Sequence, residues 1–167
     1  MTTLRYDIKL LVDKIDNVIL LKARNIKKDG ESDFKQLSIV DHKFFIKDKL
    51  EEISTKIFDK ITSPISRTLS EERFEFDALV DAPEGEEPTN SGKIEFRFEL
   101  PEKSDSGTIK AILRAIEDVM IAFCIYEWLY HGNYDYRKEE ERYNQRWDDL
   151  LSLITRRINL KRTYKLY

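Results

Sequence analysis

Cysteine is almost absent from this chain. Cys124 stands alone, so no internal disulfide can form, and a reducing compartment is the expected setting. Glycine is scarce too, and the five glycines are scattered, which leaves no glycine-rich loop to cradle a phosphate. There is no C-x-x-C pair, no H-E-x-x-H helix and no G-x-S-x-G elbow, although composition leaves a Ser-His-Asp arrangement open. The two histidines, His42 and His131, have no second ligand at metal spacing and read as surface or capping residues. No metal, cofactor or reaction is therefore expected. No run reaches the ~18 apolar residues that cross a bilayer, and the opening Met-Thr-Thr-Leu-Arg-Tyr-Asp is no signal region, so no membrane partner is expected. An excess of one charge is missing as well. Charged residues make up 37% of the chain, yet the net charge is only -3, which argues against a general nucleic-acid binder. Synthesis in cytosol, with use or assembly there, is the matching expectation.

What the chain does have is a strong helical signal from Thr108 to Ile158. Ile109, Ile112, Leu113, Ile116, Val119, Met120 and Phe123 recur at three- and four-residue spacing, which marks one face of a helix from about Ile109 to His131. From Val119 to Tyr130 the polar face almost vanishes, so this stretch must be covered on most sides and Cys124 is a small core residue. Gly132-Asn133 ends the helix, since both residues tolerate the left-handed backbone. A second helix follows from about Tyr136 to Ile158, capped by Asp135, with a stripe of Tyr136, Tyr143, Trp147, Leu150, Leu151, Ile154 and Ile158. So short a connection makes the two helices antiparallel neighbours. Trp128 and Trp147 should both be largely buried. The triplet Glu139-Glu140-Glu141 reads as a solvated face near a helix N-terminus. The tyrosines about the turn read as core and subunit-contact aromatics.

Residues 3–25 are two-sided. Leu4, Tyr6, Ile8, Leu10 and Val12 alternate as a strand does, while Leu4, Ile8, Leu11, Ile15 and Val18 fit a helix. The helical pattern lasts longer and contains no Gly or Pro, so a helix is expected. A polar connector with Asp29-Gly30 follows. Ser38, with Asp41 three residues on, resembles a capping box for a helix marked by Ile39, Phe45, Ile46, Leu50, Ile53, Ile57 and Ile61. Ser63-Pro64 should stop it near Thr62.

The period then changes. Phe74, Phe76, Ala78 and Val80 alternate with Arg73, Glu75, Asp77 and Leu79, and Ile94, Phe96, Phe98 and Leu100 with Glu95, Arg97 and Glu99, which predicts two antiparallel strands over 72–80 and 93–100. The loop Asp81–Gly92 carries two prolines, two glycines and four acids, far more than a tight turn needs. Two strands alone are marginal, so a third is wanted. The candidate is the C-terminal stretch, where Leu160, Arg162, Tyr164 and Leu166 alternate with Lys161, Thr163, Lys165 and Tyr167. Residues 155–167 hold five basic residues and no acid. The stretch is either a mobile basic tail or a strand for a sheet edge, in its own subunit or a neighbour's. In the second case Leu160, Arg162, Tyr164 and Leu166 are candidate interface residues. The loop acids Glu84, Glu86 and Glu87, with Glu95 and Glu99, are candidate counter-charges.

The expected fold is mainly α with a β-hairpin: one α+β domain over 1–167, a helical hairpin at its core, a long β-hairpin over 72–100, and a C-terminal arm over 159–167. The order Tyr126-Glu127-Trp128-Leu129-Tyr130, Gly132, Tyr143, Leu150-Leu151 and Arg156-Arg157 resembles small neck proteins of tailed bacteriophages, especially those of crAss-like and related phages of gut Bacteroides. The resemblance covers about Thr108 to Ile158, and its motifs are positions of aromatics and leucines. It implies a head–tail connector: a mainly helical subunit in a usually twelve-fold ring below the portal, contacting portal and tail proteins, with terminal arms reaching neighbours. It also implies a virion location, manufacture in the host cytoplasm, and DNA that passes through without specific binding, which suits a net acidic wall. It brings no catalytic residues. A non-catalytic cytosolic interaction module or accessory subunit acting as a small homo-oligomer is the second reading, and an enzyme with a dispersed site is the third.

Overall fold

A computed structural model describes residues 2–26, 39–65, 71–76, 92–98 and 106–159. In chain order these form β1 (Thr2–Asp7), α1 (Ile8–Ile26), α2 (Ile39–Ile65), β2 (Glu71–Phe76), β3 (Gly92–Phe98), α3 (Ser106–His131) and α4 (Arg137–Asn159). The fold is mainly helical with an antiparallel β-hairpin, and the helical hairpin α3–α4 lies at its core, as the residue pattern implies.

The helix without a polar face is the one the others surround. Within α3, Ile116, Val119, Met120, Phe123, Cys124 and Ile125 are all buried. α4 packs along it, and α1 and α2 close on its other sides. The α1 stripe Ile8, Leu11, Ile15 and Ile19 and the α2 stripe Ile46, Leu50, Ile53, Ile57 and Ile61 join the same cluster. Fully burying one such side chain stabilises by roughly 1.5–3 kcal/mol before chain entropy is subtracted. Burial raises the Cys124 thiol pKa far above its usual range, so this sulfur is a packing atom.

The turn between α3 and α4 divides its work between two residues. Asn133 takes the left-handed conformation, with φ 57°. The Tyr134 amide donates to the Leu129 carbonyl at 3.0 Å and the Asn133 amide to the Tyr130 carbonyl at 3.2 Å, which is the paired closure of a Schellman motif. Gly132 is needed for space instead. A Cβ there would meet the Tyr134 ring at 2.4 Å, and that ring is stacked on Trp128 with centroids 5.5 Å apart. The Arg137 amide then donates to the Asp135 carboxylate at 3.3 Å, so Asp135 starts α4 as expected.

The N-terminus corrects the sequence reading. Its first six described residues are a strand, and the helix begins only at Ile8. β1 pairs antiparallel with β3, Leu4 opposite Phe96 and Tyr6 opposite Ile94, and all four side chains are buried. The Tyr6 hydroxyl reaches the Leu113 carbonyl of α3 at 2.9 Å. Asp7 makes the switch, accepting from the Leu10 amide at 3.2 Å as a helix cap. The alternation and the helical stripe are therefore both real and meet at Ile8. β2 pairs with the other side of β3, so the sheet order is β1-β3-β2. The N-terminus thus supplies a third strand that the sequence reading did not expect, on the free side of β3, while the C-terminal stretch lies outside the described residues.

Other boundaries moved less. α2 runs through Pro64 to Ile65, past the expected stop, because a proline in the last turn forfeits only one hydrogen bond there. β2 and β3 are described over 71–76 and 92–98, and the remainder of the expected strands, 77–80 and 99–100, lies outside the described residues. The Ser38 cap, the acidic loop and the arm lie outside the described residues. Trp128 is buried as expected, and Trp147 is partly buried against the same core, with the Lys60 ammonium 5.5 Å from its ring centroid.

Two substitutions at the turn separate space from conformation. Gly132→Ala is expected to lower stability by about 1–3 kcal/mol, as overpacking does, whereas Asn133→Gly should change it by less than about 1 kcal/mol. Trp128→Ala should cost about 3–5 kcal/mol and Trp147→Ala roughly half that. Denaturant unfolding monitored by circular dichroism gives both orderings, and a Trp147→Ala cost equal to that of Trp128→Ala would contradict the lesser burial of Trp147.

Candidate functional site

Two regions of the fold offer more than core packing: the end of the bundle around the α3–α4 turn, and the outer edges of the sheet. The turn gathers the tyrosines. Tyr126 stacks on Tyr143 with centroids 5.9 Å apart and an interplanar angle of 2°. Tyr136 meets both Tyr126 and Tyr130 edge-on at 5.8 and 5.2 Å. These rings are partly covered by one another, and Tyr130 remains 49% exposed. Phe44 on α2 is exposed as well. An aromatic surface of this kind suits a protein contact, because it offers large area at little rotamer entropy.

Beneath it lies a set of ion pairs and hydrogen bonds between elements far apart in sequence. His42 Nδ1 lies 3.0 Å from Asp16 Oδ1, joining α2 to α1, and the ring meets Trp128 edge-on at 6.2 Å. Burial lowers the His42 pKa below the usual histidine range, against the upward pull of Asp16. The neutral ring then donates from Nδ1 to the carboxylate. Nε2 is left buried, with no hydrogen-bond partner among the described residues. This corrects the surface reading of His42, whereas His131 is exposed and sits 3.2 Å from Glu127.

Glu139 corrects the reading of the acidic triplet. It is 8% exposed and pairs with Lys22 of α1, while Glu141 is exposed. Lys49 of α2 lies between Glu52, at 2.7 Å, and Glu127 of α3, at 3.5 Å. Lys56 stands 4.6 Å from the Phe123 ring centroid. These contacts hold α1 and α2 in place against the hairpin that carries the tyrosines. Among the described residues no group of three or more His, Cys, Asp or Glu is placed to hold a metal ion, and no helix is long and apolar enough to cross a membrane.

The sheet has two faces of opposite character. Leu4, Tyr6, Ile94 and Phe96 lie on the buried face. On the other, Arg5 Nε meets Glu95 Oε1 at 2.7 Å, and Glu95 is itself buried. Glu95, a candidate counter-charge for the arm, is thus engaged inside its own sheet. The candidate interface residues Leu160, Arg162, Tyr164 and Leu166, and the loop acids Glu84, Glu86 and Glu87, lie outside the described residues.

His42 yields a pH prediction. A histidine held below its unfolded pKa contributes stability that is present above that pKa and lost as pH falls through the lower, folded value. The melting temperature should therefore fall as pH is taken from about 7.5 to about 5. His42→Gln, which can still donate to Asp16, should flatten that slope. Thermal melts across this range check it, and an unchanged slope in the variant would assign the effect to other groups.

Comparison with protein-family models, curated proteins and solved structures gives no significant match for this chain.

Proposed function

We propose that this chain is a non-catalytic structural subunit that associates with copies of itself into a ring, of the kind found in the neck of tailed phages between portal and tail. One observation carries the reading. α4 stays helical to Asn159, and the eight residues that follow alternate as a strand. A strand needs a sheet edge, and the sheet has two: among the described residues, β1 and β2 each pair only with β3. Sheet edges without a partner among the described residues, in a chain that also carries a strand-like basic segment, supply the components of strand donation between subunits. Head-to-tail donation of that kind closes into a ring when its rotation permits.

Two further features support the reading. The helical hairpin, with Trp128, Tyr134 and Gly132 locked at its turn, gives a rigid framework on which the tyrosines stay partly exposed. The residues that carry the resemblance to neck proteins occupy this hairpin. The specific role, a conduit and adaptor that leaves passing DNA unbound, rests on that resemblance together with the acidic balance of the chain.

Deleting residues 160–167 is expected to leave the helical circular dichroism unchanged and to abolish assembly. Sedimentation velocity of native and truncated chains over a range of concentrations checks both. A native chain that forms a large closed particle fits the ring, and one that stops at a stable dimer favours a small oligomeric module. A truncated chain that still assembles removes the arm from the mechanism.

A further inference from the structure

Resting on the assembly reading, we infer that residues 161–166 of a neighbouring copy add as a parallel strand to the outer edge of β2. The register runs from Lys161 opposite Glu71 to Leu166 opposite Phe76.

The sheet itself shows the rule that selects this edge. Opposite β3, β2 places Glu71 at Arg97, Arg73 at Glu95 and Glu75 at Lys93. On the far side of β3, β1 places Arg5 at Glu95 and Asp7 at Lys93. Read across the sheet, charge therefore alternates: Arg5, Glu95, Arg73 in one row and Asp7, Lys93, Glu75 in the next. Opposite charges directly across strands stabilise a pair, and like charges destabilise it. The outer strands differ in what they offer a basic segment. β1 holds one acid and one base, whereas β2 holds three acids and one base.

Residues 161–166 continue those rows. In the stated register, Lys161 faces Glu71 and Lys165 faces Glu75, which carries the Arg97–Glu71 pair and the Asp7, Lys93, Glu75 row on with the next alternating sign. Thr163, the uncharged residue between them, falls opposite Arg73. On the other face, where β2 is level with Ile94 and Phe96 of β3, Arg162 faces Glu72, Tyr164 faces Phe74 and Leu166 faces Phe76. Five of the six successive positions match by charge or apolarity, and the sixth, Thr163 opposite Arg73, avoids a like-charge pair. A shift of one residue exchanges the two faces. A parallel shift of two in either direction sets a lysine against Arg73. The antiparallel arrangement that keeps both lysine–glutamate pairs sets Arg162 against Phe74 and Tyr164 against Glu72. A parallel strand on an antiparallel sheet is an ordinary mixed edge.

Charge exchange tests this in the full-length chain. Glu72→Lys and Arg162→Glu should each weaken self-association by at least about tenfold, read by sedimentation velocity. A chain carrying both changes should return to within about threefold of native. An equimolar mixture of the two singly changed chains should do the same, because each then meets a complementary neighbour. Glu71→Lys with Lys161→Glu repeats the test on the other face, and circular dichroism confirms that each variant is folded. If the double variant recovers while the mixture stays dissociated, the segment docks in its own subunit and the inference falls. If the single variants assemble as the native chain does, β2 is not the acceptor; the inference falls and the assembly reading stands. If the native chain remains monomeric at every concentration, the assembly reading fails and takes the inference with it.

Discussion

The burial of α3 is the constraint on which the rest of the architecture depends. Its middle, from Val119 to Ile125, has almost no polar face, so no arrangement with one side in water is acceptable. Three helices and a strand-borne tyrosine supply the cover. α4 follows directly through the Schellman turn, while α1 and α2 arrive from the other half of the chain. The polar contacts lie at the margins of this packing. Lys22 reaches Glu139, Lys49 reaches Glu127, and His42 holds Asp16. Exposed pairs of this sort add little. The partly buried ones fix how α1 and α2 are set against the hairpin, because removing one partner leaves a covered charge.

How far the fold was legible depended on the distance between partners. α3, α4, their turn and the α2 stripe follow from local periodicity and capping residues, and their limits lie within a few residues of expectation. The N-terminal strand was half visible, because Leu4, Tyr6 and Ile8 alternate. Its true partner is about ninety residues away, and a helical stripe begins where the alternation ends. Choosing one pattern for the whole segment was the error; Asp7, a helix cap between the two, was the signal that divides them. Glu95 shows the same limit. Its alternation places it on the polar face, and only the discovery that β3 is the middle strand explains why it is covered.

The polar residues about the α3–α4 turn carried a subtler signal. His42 falls at helical spacing between Ile39 and Ile46, on the stripe itself. Glu139 falls in the gap between Tyr136 and Tyr143. Each is a polar residue in an apolar series, and each turns out to meet a charged residue of α1. Helical arithmetic alone marks such positions as covered, but it does not name the partner. The candidate interface of the arm and the acidic loop depends on contacts between segments, or between copies, that no local pattern specifies.

The strand order β1-β3-β2 also orders events in time. A ribosome delivers Thr2–Asp7 well before their partner, Gly92–Phe98, which emerges only after α1, α2 and β2 have been made. Until then the buried face of β1, with Leu4 and Tyr6, has no mate, and α3 has not been synthesised to receive the Tyr6 hydroxyl. Contacts this distant along the chain slow folding, since the loop must close before they stabilise anything. Nascent chains are therefore left for a time with an unmated apolar strand, the kind of surface that chaperones bind and that aggregation exploits.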